Sequence, residues 1–310
     1  MKKYLLPIGF YDLIDEEAKL NRSTVDILLN SFYEKEYQPI QTPLIEFEES
    51  LAVNSKTDQS FKMVDNLSGK TLLLRSDITP QIARLVATKM RDIQTPIRLC
   101  YNGDVVKTNN DNLYADRQLT QVGIELIGED SSASNLEVIE LTLSSLKQIK
   151  LENLAVNFCY PQFLDILLTN LNLQNDENLR QAITSKNISA IKNLAGKLAD
   201  DLIFLALENN DFSKISSVIE NLKVDKEIAQ QLARWQKTIN KIKENHPGIT
   251  FSIDVFADDE FSYHNQIGFT IFAGGFSYPI ARGGRYLITQ TIPAVGSTIY
   301  INNLRKILAK

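Results

Sequence analysis

Gln121 and Glu125 stand four residues apart with Gly123 between them. If this stretch is a strand, the three share one face while Val122, Ile124 and Leu126 share the other. An amide and a carboxylate edging a glycine floor can hold a small cation or an N–H donor; the same pattern also fits a half-solvated strand showing polar groups to water. Asp77 and Thr79 offer a second set of acceptors beside a predicted helix start, where a capping turn is the plainer reading. Gly283-Gly284-Arg285-Tyr286 would let a ligand approach the main chain closely, although two glycines alone do not establish it. His264, next to Tyr263, reads as a packed or hydrogen-bonded histidine, and no catalytic triad accompanies it. Neither Gly274-Gly275 nor Gly283-Gly284 is followed by the Lys-Ser/Thr ending that a Walker-type phosphate cradle requires.

The elements that would position these residues follow from periodicity. Ile14, Ala18, Val25, Leu28, Leu29 and Phe32 recur at helical spacing, predicting a long amphipathic helix within residues 12–37 capped by Asp12 or Asp15. The prolines of Tyr37 to Pro43 restrict that stretch to a short edge strand. Phe61 to Val64 and Thr71 to Arg75 flank Leu67-Ser68-Gly69-Lys70, a hairpin with a glycine-containing turn. Thr79-Pro80 then opens a helix with Ile82, Leu85 and Val86 on one face, Thr79 serving as its cap. Two strands come next, Ile97 to Lys107 and Arg117 to Gly128, then a helix through Leu136, Ile139, Leu143 and Leu146 and a strand over Leu154, Val156 and Phe158. Residues 161–247 are helical in pattern throughout and read as an insertion, after which strand signals return at Phe251, Phe269, Gly283 to Tyr286 and Val295 to Ile301. This order fits an α+β fold, a mostly antiparallel sheet with helices on its outer face, better than a βαβ array.

Composition bounds the function classes. Of the 310 residues, 44% are apolar and 23% charged, the balance of a globular protein. With 33 Lys and Arg against 38 Asp and Glu, the net charge is −5 and no basic cluster stands out, which argues against a nucleic-acid surface. Cys100 and Cys159 lack a CxxC partner and the histidines are few, so buried reduced thiols and no metal site are expected. The apolar run at Leu5-Leu6 falls short of the ~7–15 residues of a signal-peptide core, and no stretch reaches the ~18 apolar residues of a membrane span. A cytoplasmic protein with no membrane contact is the expectation.

Taken in order, Pro7-Ile8-Gly9-Phe10 with Asp12, Tyr37 to Glu46, Leu74-Arg75-Ser76-Asp77-Ile78-Thr79-Pro80, Tyr101-Asn102-Gly103, Gln118 to Gly128, Gly283-Gly284-Arg285-Tyr286 and Pro293-Ala294-Val295-Gly296 resemble the catalytic core of histidyl-tRNA synthetase. The resemblance covers nearly the whole chain outside the helical insertion. The arginine followed by Asp-x-Thr-Pro-Gln more closely resembles the paralogous family that serves as the regulatory subunit of ATP phosphoribosyltransferase. It implies a class II aminoacyl-tRNA synthetase-like core over residues 1–160 and 248–310, interrupted by 161–247. Histidine recognition would then fall on Asp77, Thr79 and Gln121 for the α-amino group, and on Glu125 with Tyr263, His264 and Tyr286 for the ring. The synthetase has glutamate at the Asp77 position and tyrosine at His264.

The resemblance also shows what is missing. The synthetase's three cleft arginines fall on Lys107, Asn303 and Asp259. One keeps a charge without the planar fork, one loses it and one reverses it. Removing a single preorganised electrostatic donor costs about 10²–10³ in rate, so adenylate formation is not expected. The motif 2 loop reads Asn109-Asn110-Asp111-Asn112 where the synthetase keeps acidic and basic groups, and the sequence closes shortly after the motif 3 region, leaving no expected anticodon domain. The resemblance therefore implies a non-catalytic regulatory subunit, needing no cofactor, that binds histidine as a feedback signal. Its implied partners are a second copy, with Pro43 near the dimer contact, and the short-form ATP phosphoribosyltransferase catalytic subunit that opens histidine biosynthesis. The competing readings are a divergent amino-acid-activating enzyme with a free carrier in place of tRNA, and a binding module for some other partner.

Overall fold

A computed structural model describes residues 5–51, 59–90, 93–108, 116–207, 211–222, 226–256 and 264–309, and for residues 226–228, 231 and 264–267 the backbone alone. The N-terminal amphipathic stripe forms α1 (Asp15–Tyr33), burying Val25, Leu28 and Phe32. Its N-cap falls between the two predicted caps, at neither of them. Ile14 is the N-cap, makes no side-chain cap bond and is 69% exposed. Asp12 precedes it, and Asp15 joins Glu16 and Glu17 in the first turn, where negative charge favours the helix dipole without capping.

Next come β1 (Gln38–Pro39), β2 (Ile45–Phe47), α2 (Glu48–Leu51), β3 (Lys62–Val64) and β4 (Thr71–Leu74). Strands β2, β4 and β3 form a small antiparallel sheet in that order. Its hairpin turns at Gly69, whose φ of +71° suits glycine, while the Asp65 carboxylate accepts the Leu67 and Ser68 amides. After it stand α3 (Thr79–Lys89), β5 (Ile97–Val106), β6 (Gln118–Ile127), α4 (Ser132–Gln148) and β7 (Leu154–Cys159). Among the described residues the predicted helical segment holds the α-helices α5 (Phe163–Asn170), α6 (Glu177–Thr184), α7 (Ile188–Leu194), α8 (Ala199–Ala206), α9 (Phe212–Asn221) and α10 (Lys226–Asn245). The chain ends in β8 (Thr250–Asp254), β9 (His264–Ala273), β10 (Ala281–Ile288), β11 (Ile292–Tyr300) and α11 (Ile301–Leu308).

Eight strands form the main sheet in the order β1-β5-β6-β11-β10-β9-β7-β8. Pairing is antiparallel from β5 through β7 and parallel at both ends, β1 with β5 and β7 with β8. The α+β expectation holds, and the proline-limited strand does lie at the sheet's edge. One face carries Val122, Ile124, Val156, Phe158, Phe269, Ile271 and Ile299 into a large core shared with α1, α4, the helical segment and α11. The other face carries a smaller core, in which Ile78, Ile82 and Val86 of the α3 region pack on Leu99, Tyr101, Ile127 and Tyr286. Both cysteines are buried free thiols. Burial pushes the Cys100 pKa up to about 12, so that thiol stays protonated and inert.

Candidate functional site

The α3 side of the sheet holds the predicted acceptors. Gln121 and Glu125 are each only 1% exposed, so the half-solvated reading fails. Helix α3 roofs this face, which the strand's own alternation cannot reveal. Thr79 does not cap α3 either: it is the first helical residue, behind an Ile78 N-cap that makes no side-chain cap bond. Its hydroxyl instead donates to Glu125 Oε1 at 2.9 Å, while the Tyr286 hydroxyl donates to Oε2 at 2.8 Å. The carboxyl leans across Gly296, its register partner on β11, where any Cβ would collide with it.

Burial pushes the Glu125 pKa up to about 8; the bonds from Tyr286 and Thr79 pull the other way, and nearby Asp77 raises it further. At neutral pH the group is largely a neutral acid that both donates and accepts, a fitting partner for an azole ring. Tyr286 is itself held far above the ordinary phenol range, first by burial and then by Glu125.

Gln121 reaches the other way. Its Nε2 donates to Asp77 Oδ1 at 3.1 Å, and the Ile78 amide is shared between Asp77 Oδ1 at 2.9 Å and Gln121 Oε1 at 3.2 Å. Asp77 thus serves the helix start that Thr79 was predicted to serve. One expectation is overturned outright. The space above Gly123 is not an open floor, because the Tyr101 ring lies over it, its hydroxyl 2.7 Å from Thr298 Oγ1. Sequence reasoning missed Tyr101, Thr298 and Gly296 as parts of this constellation; their adjacency depends on cross-strand register, which no local pattern encodes.

Tyr263 lies outside the described residues, as do Asp259 and the 109–112 loop, and His264 opens β9 opposite Tyr286. In the glycine pair, Gly283 serves the large core, since a Cβ there would strike the Phe269 ring and the Gly296 carbonyl. Gly284 takes the opposite, cleft-facing position beside Gly296.

Arg75, Arg117 and Arg285 are each bonded within the fold. Arg75 donates from Nε to the Asp104 carbonyl at 2.6 Å and from NH1 to Thr42 O at 3.1 Å, lying where a Cβ on Gly103 would be. Arg117 donates to the Lys107 carbonyl at 3.1 Å and stacks over the rings of Phe10 and Phe61. Arg285 faces the large core, where it binds Glu129 O, Ser131 O and the side chains of Ser134 and Asn135. Asn303 donates to Pro279 O at 2.7 Å. Arg75, Arg117 and Arg285 thus bond to three different parts of the fold. Among the described residues no cluster of three His, Cys, Asp or Glu could hold a metal ion, and no helix is long and apolar enough to cross a membrane.

An antiparallel sheet roofed by a helix, with a carboxyl, amide and hydroxyl set buried beneath it, has the form of a class II synthetase-like core. The family model described as histidyl-tRNA synthetase matches residues 9–304. The ATP phosphoribosyltransferase regulatory subunit of Gluconobacter oxydans is 31% identical over 95% of this chain and 79% of its own length. The crystal structure of an ATP phosphoribosyltransferase regulatory subunit/histidyl-tRNA synthetase from Bacillus halodurans superposes with a TM-score of 0.87 at 26% identity, covering 100% of this chain and 84% of that one. The ATP phosphoribosyl transferase (HisG:HisZ) complex from Thermotoga maritima shares the fold, with a TM-score of 0.70 at 18% identity, covering 94% of this chain and 98% of that one. The chain belongs to the histidyl-tRNA synthetase family, in its branch of ATP phosphoribosyltransferase regulatory subunits.

Proposed function

We propose that this chain is a non-catalytic subunit that binds free histidine in the α3-covered cleft and regulates a short-form ATP phosphoribosyltransferase catalytic subunit with which it assembles. Asp77, Gln121 and Thr79 take the ammonium group, and Glu125 with Tyr286, Tyr263 and His264 takes the ring. The observation that carries the reading is the division of charge. Acceptors for an amino acid are buried together, while Arg75, Arg117 and Arg285 are committed to main-chain carbonyls, rings and the start of α4. Charge-assisted hydrogen bonds worth about 1.5–3 kcal/mol each suit a small zwitterion, whereas Arg75, Arg117 and Arg285 are not aimed at a triphosphate.

Relatives named as regulatory subunits and the Thermotoga maritima complex support the choice of partner. Residues 161–247 are an insertion into the core, the complex works in the cytoplasm, and the subunit pairs with a second copy, with Pro43 near the contact.

Regulation requires histidine to bind two assembly states with different affinity, since equal affinity shifts nothing. Titrating histidine into the chain alone and into its mixture with a short catalytic subunit tests this, with phosphoribosyl transfer followed in parallel. Restored transfer and unequal histidine affinities are expected. Pyrophosphate exchange dependent on ATP and histidine would overturn the proposal in favour of an amino-acid-activating enzyme.

A further inference from the structure

The cleft face extends past Glu125. Register sets Gly296, Gly284 and Gly268 side by side on β11, β10 and β9. Three neighbouring strands therefore carry no side chain along a trough about 10 Å across at the ~4.8 Å strand spacing. The next row on the same face, two residues along, reads Thr298, Arg282, Thr270 and Asn157. Its facing is fixed by alternation: Gly296 lies under the Glu125 carboxyl and Thr298 meets the Tyr101 hydroxyl, so Arg282, opposite Thr298, points to the cleft. Arg282 is half-buried. It sits one strand and two residues from Gly296, about 8 Å from it by strand spacing and rise, within the span of one small amino acid.

Neither Asp77 nor Glu125 carries positive charge, yet a free amino acid also carries a carboxylate. Arg75 lies towards the β5 end of this face, bonded to Asp104 and Thr42. Arg282 stands beside the glycine trough, with neutral threonines as its strand neighbours. Its planar guanidinium offers the two parallel N–H groups that match a carboxylate.

We propose that Arg282 binds the α-carboxylate of the amino acid held by Asp77, Gln121 and Glu125, and so makes the site selective for an intact amino acid over the corresponding amine. This rests on the proposed histidine reading and names the one contact that reading lacks. The test is calorimetric titration of the full chain and of its Arg282→Gln and Arg282→Lys variants with L-histidine and with histamine, which has the same ring and amine but no carboxylate. Thermal unfolding confirms that each variant is folded.

Wild type should bind histidine at least about ten-fold more tightly than histamine. Arg282→Gln should lose about ten- to hundred-fold in histidine affinity with histamine unchanged, and Arg282→Lys should fall between. Unchanged histidine affinity in Arg282→Gln, or equal losses for both ligands, would overturn the assignment while leaving histidine binding intact. A wild-type chain that binds neither ligand would instead bring down the histidine reading and the Arg282 assignment with it.

Discussion

Replacing Glu125 with Gln should make the folded protein more stable at alkaline pH, an unusual outcome for deleting a buried, doubly hydrogen-bonded carboxyl. The group's pKa rises from the ordinary 4.5 to about 8 on folding, chiefly through burial. Between those values the folded state holds a proton that the unfolded chain releases, so this contribution to stability is complete below pH 4.5, declines as pH rises and is gone above about 8. At about 1.36 kcal/mol per pH unit, the span is worth about 5 kcal/mol. A buried glutamine carries no such dependence. Its carbonyl can accept one of the two hydroxyls, and the other hydroxyl must turn to accept from its amide. At pH 5 the variant should therefore be less stable than wild type by about 1 kcal/mol. By pH 9 the order should reverse by a few kcal/mol. Urea unfolding at half-unit pH steps from 5 to 9 measures both curves. Wild type should lose stability with a slope approaching one proton, and the difference between the two curves should change sign. Parallel curves would refute the reasoning, because they would mean that Glu125 keeps an ordinary pKa through solvent access or a counter-cation.

The packing sets two further outcomes. Gly296→Ala should abolish histidine binding and lower the thermal midpoint, since its methyl would take the place of the Glu125 carboxyl; calorimetry and a melting curve check both, and wild-type affinity would refute it. Arg285→Met should cost about 1–3 kcal/mol for each buried group it orphans, namely the carbonyls of Glu129 and Ser131 and the side chain of Asn135 at the start of α4; urea unfolding near neutral pH reads the loss.

Strand and helix identities were largely legible because they rest on periodicity, and the edge placement of β1 followed from Pro39 alone. The site was less so. Thr79 in front of proline has the form of a cap, yet its hydroxyl is drawn off by Glu125, 46 residues away, and Asp77 takes the helix-start amide instead. Polar alternation in β6 looked solvated because the helix that covers it comes from earlier in the chain. The roles of Arg75 and Arg285 were invisible for a different reason: their partners include main-chain carbonyls, which have no sequence signature, and side chains distant in sequence. Tyr101 over Gly123 likewise depends on which strands become neighbours.

The parallel pairing of β7 with β8 bears on how the helical segment can be altered. A tight turn can only reverse a chain, and two neighbours running the same way need a return path of about a dozen residues or more. Helices α5 to α10 are that path. Trimming them to a short hairpin-like link would force β8 to run backwards or leave the sheet, carrying Asp254 off the cleft with it. Shortened versions of the protein will keep their architecture only where the bridge still travels the full length of the strand.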